Sequence, residues 1–290
     1  ASVPELPEVE VVRRGLETHL VGRRFTDVEV RHPRAVRSGD PEVLVSFLRD
    51  ATVSAVQRRG KFLWLDFGEN LLLQVHLGMS GQMLVADPGQ VQSPHVRIRA
   101  GLSDGRELCF VDQRTFGEWR LEKAVPDPWE VGAGVASPKN FLPQNVSHIA
   151  ADPLEAAFDA ARAVERMKAK RAAIKTVLLN QEVVSGIGNI YADEALFLAG
   201  VRPRLSAALL SRPTLHRILE AAAEVMERAL EQGGTSFDSL YVNVNGASGY
   251  FSRSLNVYGR GGEPCKKCGA PIKRVVVGGR STHYCAACQK

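Results

Sequence analysis

Cys265-Lys266-Lys267-Cys268-Gly269, answered near the end of the chain by Cys285-Ala286-Ala287-Cys288, is the stretch whose reading decides how this polypeptide is organised. Two Cys-x-x-Cys knuckles with sixteen residues between them supply four thiolates that can close tetrahedrally on one metal ion. Gly269 follows the first knuckle, where the backbone must turn tightly. Residues 272–277 read as a strand, Gly278-Gly279 as a turn and residues 281–284 as the return strand. Residues 259–290 are therefore expected to be a four-cysteine zinc ribbon with one structural zinc ion, because four protein ligands leave no open position for catalysis. An iron–sulfur site is the other occupant that four thiolates admit. Lys266, Lys267, Lys273, Arg274 and Arg280 make the ribbon basic, with Arg280 at the hairpin tip, and a basic hairpin suits phosphate. Taken singly, each reads as a solvated surface charge.

Upstream of the ribbon, residues 154–233 carry helical periodicity. Leu209, Leu215, Ile218, Ala221, Ala222, Val225 and Leu230 mark one long amphipathic helix ending at Gly233-Gly234. Before it, Val184-Ser185-Gly186-Ile187-Gly188-Asn189-Ile190-Tyr191 places two glycines and an asparagine between helical runs. A helix is expected over 190–199, and its N-terminus offers free N–H groups to an anion. Arg166, Lys168, Lys170, Arg171 and Lys175 read as a basic helix, either a solvated face or a track for phosphates. Residues 235–258, rich in Gly, Ser and Asn, read as a loop.

The first 125 residues have a different period. A helix is expected over 7–21, with Pro7 in its first turn, Glu8 and Glu10 near the positive end of its dipole, and Val9, Val12, Leu16 and Leu20 on one face. Short β-branched or alternating runs follow at 25–32, 52–58, 61–67, 71–77, 95–102 and 107–111, and Asp104-Gly105 is a hairpin signal. Many short strands in succession suggest a β-sandwich. Residues 126–153, broken by Pro126, Pro128, Pro138, Pro143 and Pro153, read as the connection to the helical part. Cys109, alone in an apolar strand, reads as core. The 290 residues carry a net charge of +5, which favours a polyanionic partner weakly. No apolar run reaches the length of a membrane span, and no secretory signal is visible, so clustered cysteines are expected to be metal ligands in a cytoplasmic protein.

The ordered set Pro4-Glu5-Leu6-Pro7-Glu8-Val9-Glu10, Arg59-Gly60-Lys61-Phe62, His76-Leu77-Gly78-Met79-Ser80-Gly81, Asp112-Gln113-Arg114-Thr115-Phe116-Gly117, Gly186-Ile187-Gly188-Asn189-Ile190-Tyr191 and the four-cysteine ribbon resembles formamidopyrimidine-DNA glycosylases from Pro4 to Lys290. The resemblance implies an α+β multidomain protein. Residues 1–125 would form an N-terminal β-sandwich with flanking helices, 126–153 a linker, 154–258 a helix–two-turn–helix domain with a lesion-recognition loop at about 235–258, and 259–290 the finger. It implies a monomer acting on damaged double-stranded DNA in the cleft between domains. It further implies removal of 8-oxoguanine and formamidopyrimidines, then strand cleavage by β,δ-elimination.

The resemblance also assigns roles. Pro4 corresponds to the amine nucleophile and Glu5 to the adjacent general acid, with Glu8 a second acid near the site. Lys61 corresponds to a proton donor that also contacts phosphate, and Arg280 to the finger arginine that grips phosphates and serves δ-elimination. Met79, Arg114 and Phe116 correspond to the trio that fills the gap left by an extruded nucleotide. His76, Lys170, Asn189 and Tyr258 complete the DNA contacts. By residue type alone, Met79 and Phe116 read as core, His76 as a buried histidine and Glu8 as a dipole partner.

A terminal secondary amine suits nucleophilic attack, because α-amino groups titrate near ~8 against ~10.4 for lysine. Two features depart from the family pattern. Ser93-Pro94-His95-Val96 lacks the first of two family histidines that contacts DNA, and Ala1-Ser2-Val3 precede Pro4, whose nitrogen is then a tertiary amide. Two alternatives follow: an endonuclease VIII-type enzyme for oxidised pyrimidines, and a non-catalytic lesion-binding protein with Pro4 masked. The former is disfavoured by Gly249-Tyr250-Phe251 and Val257-Tyr258-Gly259, which resemble the purine-recognising loop.

Overall fold

A computed structural model describes residues 4–130, 140–233 and 254–290. The described residues form two compact units, one built mainly from residues 4–128 and 140–147, the other from 148–231 and 254–290.

The first unit opens with α1 (Leu6–Leu20). Glu5 caps it in an extended conformation, and its backbone N–H donates to Glu8 Oε2 at 3.1 Å, half of a reciprocal capping box. Val9, Val12, Leu16 and Leu20 are buried along one face, as their spacing predicts. Nine strands follow among the described residues: β1 (Phe25–Val30), β2 (Ala55–Arg59), β3 (Phe62–Asp66), β4 (Leu71–His76), β5 (Gly81–Ala86), β6 (Val96–Leu102), β7 (Glu107–Asp112), β8 (Glu118–Pro126) and β9 (Phe141–Pro143). They make two antiparallel sheets, ordered β1-β6-β7-β5 and β2-β3-β4-β8-β9. Phe25, Ile98 and Phe110 from one sheet and Leu63, Leu73 and Trp119 from the other share a single core with α1 and with α2 (Pro41–Leu48). This is a β-sandwich with flanking helices.

Sequence periodicity misses α2, β5, β8 and β9. In β8, Arg120, Glu122 and Lys123 interrupt the apolar pattern. β9 lies within the stretch expected to be a connection; Phe141–Pro143 instead adds an edge strand to β8. For α2 the start signal is present: Asp40 accepts from the Glu42 N–H at 2.9 Å and Pro41 occupies the first turn.

The chain crosses between the sheets twice at one end of the sandwich. β4 leads into β5 through Leu77–Ser80, and β7 leads into β8 through Gln113–Gly117. Because β4 pairs with β8 (His76 opposite Glu118) and β5 with β7 (Gly81 opposite Asp112), the two crossovers must lie side by side. Elsewhere, the β2–β3 hairpin turns on Gly60-Lys61, with Gly60 at φ +56°.

The second unit contains α3 (Ala160–Lys168), α4 (Ile174–Leu178), α5 (Asn189–Ala199), α6 (Arg212–Glu231) and a two-stranded ribbon, β10 (Lys273–Val277) with β11 (Arg280–Tyr284). Turns at Asn180 and Gly186 (φ +89°) join α4 to α5. Leu209, expected within α6, is 86% exposed in a 3-10 turn before it. The expected basic helix is also broken. α3 ends at Lys168, Lys170 and Arg171 lie in the following turn, and Lys175 belongs to α4. Most of the expected lesion-recognition loop falls outside the described residues. Among the described residues no helix is long and apolar enough to cross a membrane.

One charge cluster ties α1 to the β2–β3 hairpin. Buried Glu10 accepts from Arg13 (2.7 Å), Arg14 (2.7 Å) and Arg58 (2.9 Å), and Arg58 also donates to Gly60 O at 2.9 Å. Burial alone would raise the Glu10 pKa, but hydrogen bonds from Arg13 and Arg58 outweigh it and hold it at about 2. A depressed carboxylate stabilises the fold fully above its unfolded value of 4.5, and that contribution is lost as pH falls through about 2. Glu10→Gln is therefore expected to lower stability by on the order of 2 kcal/mol at pH 7 and to flatten the acid limb between pH 4.5 and 2. Urea titrations of both proteins across that window check it; an unchanged acid limb would count against the cluster.

Candidate active site and nucleic-acid interface

Four sulfurs converge at the ribbon. The Sγ atoms of Cys265, Cys268, Cys285 and Cys288 all lie within 4.8 Å of one another, with Cys265–Cys288 at 4.0 Å and Cys268–Cys285 at 3.5 Å. Four thiolates at about 2.3 Å from a tetrahedral ion stand about 3.8 Å apart, so the donor set fits a metal ion of zinc's size and preference. The Lys267 N–H points at Cys265 Sγ (3.4 Å), as a bound thiolate requires. Among the described residues, Val257, Cys265, Ile272 and Cys285 form a small buried apolar cluster around the cage, with Phe197, Ala270 and Cys288 packed against it.

The ribbon is docked onto the helices by buried charge. Lys175 and Asp193, both with fully buried side chains, pair at 2.7 Å. Lys175 Nζ also donates to Ser281 O (2.8 Å) and Thr282 Oγ1 (2.7 Å), while Asp193 accepts from His283 N (2.9 Å) and contacts His283 Nδ1 (3.2 Å). Asn189, at the first position of α5, donates from Nδ2 to Ser281 O at 3.0 Å. The neighbouring Glu194 accepts the N–H groups of Asn256, Val257 and Tyr258 at 2.6, 2.8 and 3.0 Å; burial pushes its pKa up despite those bonds. Tyr258 packs edge-on against His283. At the ribbon turn Gly278 and Gly279 both have positive φ, and a Cβ on Gly278 would lie 2.8 Å from Thr176 Oγ1 of α4. The tip is thus seated on the helices, and exposed Arg280 and Lys170 line one open depression of about 410 Å³ together with Asn180.

In the first unit, Pro4, Glu5 and Glu8 are all buried at the start of α1. Half-buried Lys61 sits on the hairpin that Glu10 and Arg58 hold to the same helix. Beside it, Arg59 makes a buried two-pronged pair with Asp127 at 2.8 and 2.6 Å. The two sheet crossovers carry Met79, Arg114 and Phe116. Arg114 is exposed, Phe116 is 47% exposed and Met79 half-buried, so none of the three is core. His76, at the rim beneath them, is exposed; partial desolvation by the surrounding protein lowers its pKa, and Nδ1 accepts from the Gly78 N–H at 3.1 Å.

Residues 3–119 match the Formamidopyrimidine-DNA glycosylase N-terminal domain, 149–240 the Formamidopyrimidine-DNA glycosylase H2TH domain, and 262–290 the zinc finger found in FPG and IleRS. The chain belongs to the formamidopyrimidine-DNA glycosylase family. It is 91% identical to the formamidopyrimidine-DNA glycosylase of Corynebacterium jeikeium over 288 residues, covering 99% of this chain and 100% of that one. It is 52% identical to that of Mycolicibacterium smegmatis, over 99% of this chain and 97% of the relative. Among solved structures, a complex of the Lactococcus lactis protein with abasic-site DNA aligns at 31% identity with a TM-score of 0.81, covering 99% of each chain. Its complex with Fapy-dG DNA aligns at 31% with a TM-score of 0.80, over 99% of this chain and 100% of that one. The protein is a DNA-repair glycosylase of this family.

For a glycosylase of this kind, sequence reasoning misses the residues that position others. Lys175 reads as a surface cation but is buried, and Lys168 donates its ammonium to Ala208 O (3.0 Å) and Leu210 O (2.6 Å). Arg166 donates to Val183 O and lies 4.9 Å from the Trp129 ring centre. Of the five cations read as one basic helix, Lys170 and Arg171 are exposed. On the ribbon, Lys266 donates to Leu255 O at 2.7 Å. Ser93, in the place of the family histidine, accepts the His95 N–H at 3.1 Å and so shapes the turn. Adjacent acids at 193 and 194 in an otherwise apolar helix are the signal that marks buried carboxylates.

Breaking one side of the Lys175–Asp193 pair leaves an uncompensated buried charge. Lys175→Met is expected to lower the unfolding free energy by about 3–5 kcal/mol, whereas Lys170→Met at its exposed position changes it by less than about 0.5 kcal/mol. Urea denaturation of both variants followed by far-UV circular dichroism checks this; equal small effects would mean that the pair does not hold the ribbon.

Proposed function

We propose that the protein excises oxidised purines, 8-oxoguanine and formamidopyrimidines, from duplex DNA and then cleaves the strand by β,δ-elimination through an imine at Pro4. The observation that carries this reading is the pair of buried carboxylates, Glu5 and Glu8, at the helix start immediately after Pro4. The matches to Lactococcus lactis complexes with Fapy-dG and abasic-site DNA support the same substrates.

A base stacked in a duplex must be extruded before its glycosidic bond can be attacked. Met79, Arg114 and Phe116 then fill the vacated space, with Arg114 facing the orphaned base. The Pro4 amine attacks sugar C1′, and the C1′–N bond breaks with its electron pair leaving on the base, which takes up a proton. The Pro4 nitrogen gives up its proton. The C1′–O4′ bond then opens, O4′ is protonated by Glu5, and an iminium ion forms. That cation is the electron sink for loss of the C2′ proton and departure of the 3′ phosphate, then loss of the C4′ proton and departure of the 5′ phosphate. Water hydrolyses the imine and restores the amine. Lys61 serves as proton donor and phosphate contact, and Arg280 grips the phosphates from the finger. His76, Lys170, Asn189 and Tyr258 contribute further DNA contacts. The ion in the four-cysteine cage is zinc and its role is structural. The enzyme works as a monomer in the cytoplasm.

In the 290-residue sequence the Pro4 nitrogen is acylated by Val3, so the amine exists only in a chain that starts at Pro4. Protein beginning at Pro4 is expected to nick 8-oxoguanine duplexes and to be trapped on them by borohydride. Protein beginning at Ala1 is expected to bind the same DNA but trap poorly, since a nucleophile displaced by even ~1 Å loses about a hundredfold in rate. Equal trapping, with the crosslink mapped to Ala1, refutes the Pro4 assignment; absence of nicking by either form leaves a lesion-binding protein.

Arg280 supplies a second check. Arg280→Ala is expected to reduce the slope of log affinity against log salt by about one. An unchanged slope and affinity would remove this arginine from the DNA.

A further inference from the structure

The two crossovers that carry Met79, Arg114 and Phe116 are joined by a compact polar network. Asp112, fully buried at the end of β7, accepts from Ser80 Oγ at 2.7 Å through one carboxylate oxygen and from the Gly117 N–H at 2.7 Å through the other. Ser80 Oγ in turn accepts the Arg114 N–H at 3.1 Å. From the 3-10 turn Pro33–Val36, the next residue, Arg37, reaches over and donates to Phe116 O at 2.7 Å and Gly117 O at 2.8 Å. The loops also meet backbone to backbone. A Cβ on Gly78 would lie 2.8 Å from Gly117 N and Phe116 C, and one on Gly117 would lie 2.5 Å from His76 O. Between Arg114 and Phe116, Thr115 holds φ +56°, a left-handed conformation that β-branched residues adopt only when their surroundings impose it.

We propose that Asp112, Ser80 and Arg37 act as a clamp that holds the two wedge loops as one preformed unit, and are therefore positioning residues for nucleotide extrusion. The inference rests on the reading of Met79, Arg114 and Phe116 as wedges. Apart from Ser80's hydroxyl bond to Asp112, these bonds end on the backbone of the residues that carry or adjoin the wedges, and none ends in the sandwich core. A wedge already fixed in place enters the base stack without first being ordered. Arg37 suits this task because two separate nitrogens of its rigid planar fork, Nη1 and Nη2, meet Gly117 O and Phe116 O, whereas a lysine would have to reach both from one nitrogen at the end of a flexible stem.

The test uses the full chain and a duplex holding 8-oxoguanine with 2-aminopurine beside it, whose fluorescence rises as the lesion site unstacks. Because this readout precedes chemistry, it is independent of Pro4. Arg37→Ala, at an exposed position, is expected to slow the rise by about tenfold while leaving affinity for undamaged duplex within about twofold. Ser80→Ala is expected to do the same through Arg114. Arg37→Lys, which keeps the charge but not the fork, is expected to behave like Arg37→Ala; recovery by lysine would mean a plain phosphate contact and overturn the clamp. With Phe116→Ala already present, Arg37→Ala should cost less than it does alone, because only Met79 and Arg114 remain to be positioned, whereas fully additive losses overturn the proposal. If Phe116→Ala slows the rise and Arg37→Ala does not, the clamp alone fails. If Phe116→Ala itself leaves the rise untouched, the wedge reading fails and the clamp with it.

Discussion

The buried ion pair between Lys175 and Asp193 is the interaction on which the second unit depends. Removing two charges from water is unfavourable, and their attraction compensates only when the remaining hydrogen-bonding capacity is also used. Here Lys175 directs its other donors to Ser281 O and Thr282 Oγ1, and Asp193 meets both the backbone and the ring of His283. All those partners lie on β11. The metal cage gives the ribbon its internal shape, but this network fixes where the ribbon sits on α4 and α5. Arg280 begins β11, one residue before Ser281, so its position follows from the pair.

The same device recurs in the first unit. Glu10 gathers three arginines and through Arg58 holds the Lys61 hairpin to the helix that carries Glu5. Asp112 collects the two crossovers. In each case a buried carboxylate meets backbone N–H, hydroxyl or cationic side-chain donors and thereby fixes an element that carries one of the proposed site residues. Such side chains are costly to bury unpaired, and each of these three has a partner remote from it in the chain: Arg58 for Glu10, Ser80 for Asp112, and Lys175 and His283 for Asp193.

This explains what was legible in the sequence. Features set by near neighbours were readable: the four cysteines, the Gly278-Gly279 turn, the apolar face of α1, the hairpin at Asp104-Gly105, and the glycines before α5. Features set by distant partners were not. Lys175 looks like its exposed neighbours Lys170 and Arg171 because Asp193 and Ser281 are remote from it in the chain. β5 follows a glycine-containing turn without clear alternation, and β8 is masked by its interleaved charges; both become strands because β7 and β4 supply ladders for them. Met79 and Phe116 have core-like side chains, and only the crossover geometry turns them outward. The family motifs supplied what local chemistry could not.

The side-by-side crossovers also bear on how such an enzyme diversifies. Their course is set by ladder register, by glycines at 78 and 117 and by bonds to backbone atoms, so the identities of the projecting side chains at 79, 114 and 116 contribute little to it. Substitution at those three positions is expected to leave the sandwich intact, while substitution at Gly78, Asp112 or Gly117 is expected to disturb the frame that carries them. The side chains at the tips can therefore change by single steps, each compatible with a folded protein, against a frame that changes slowly.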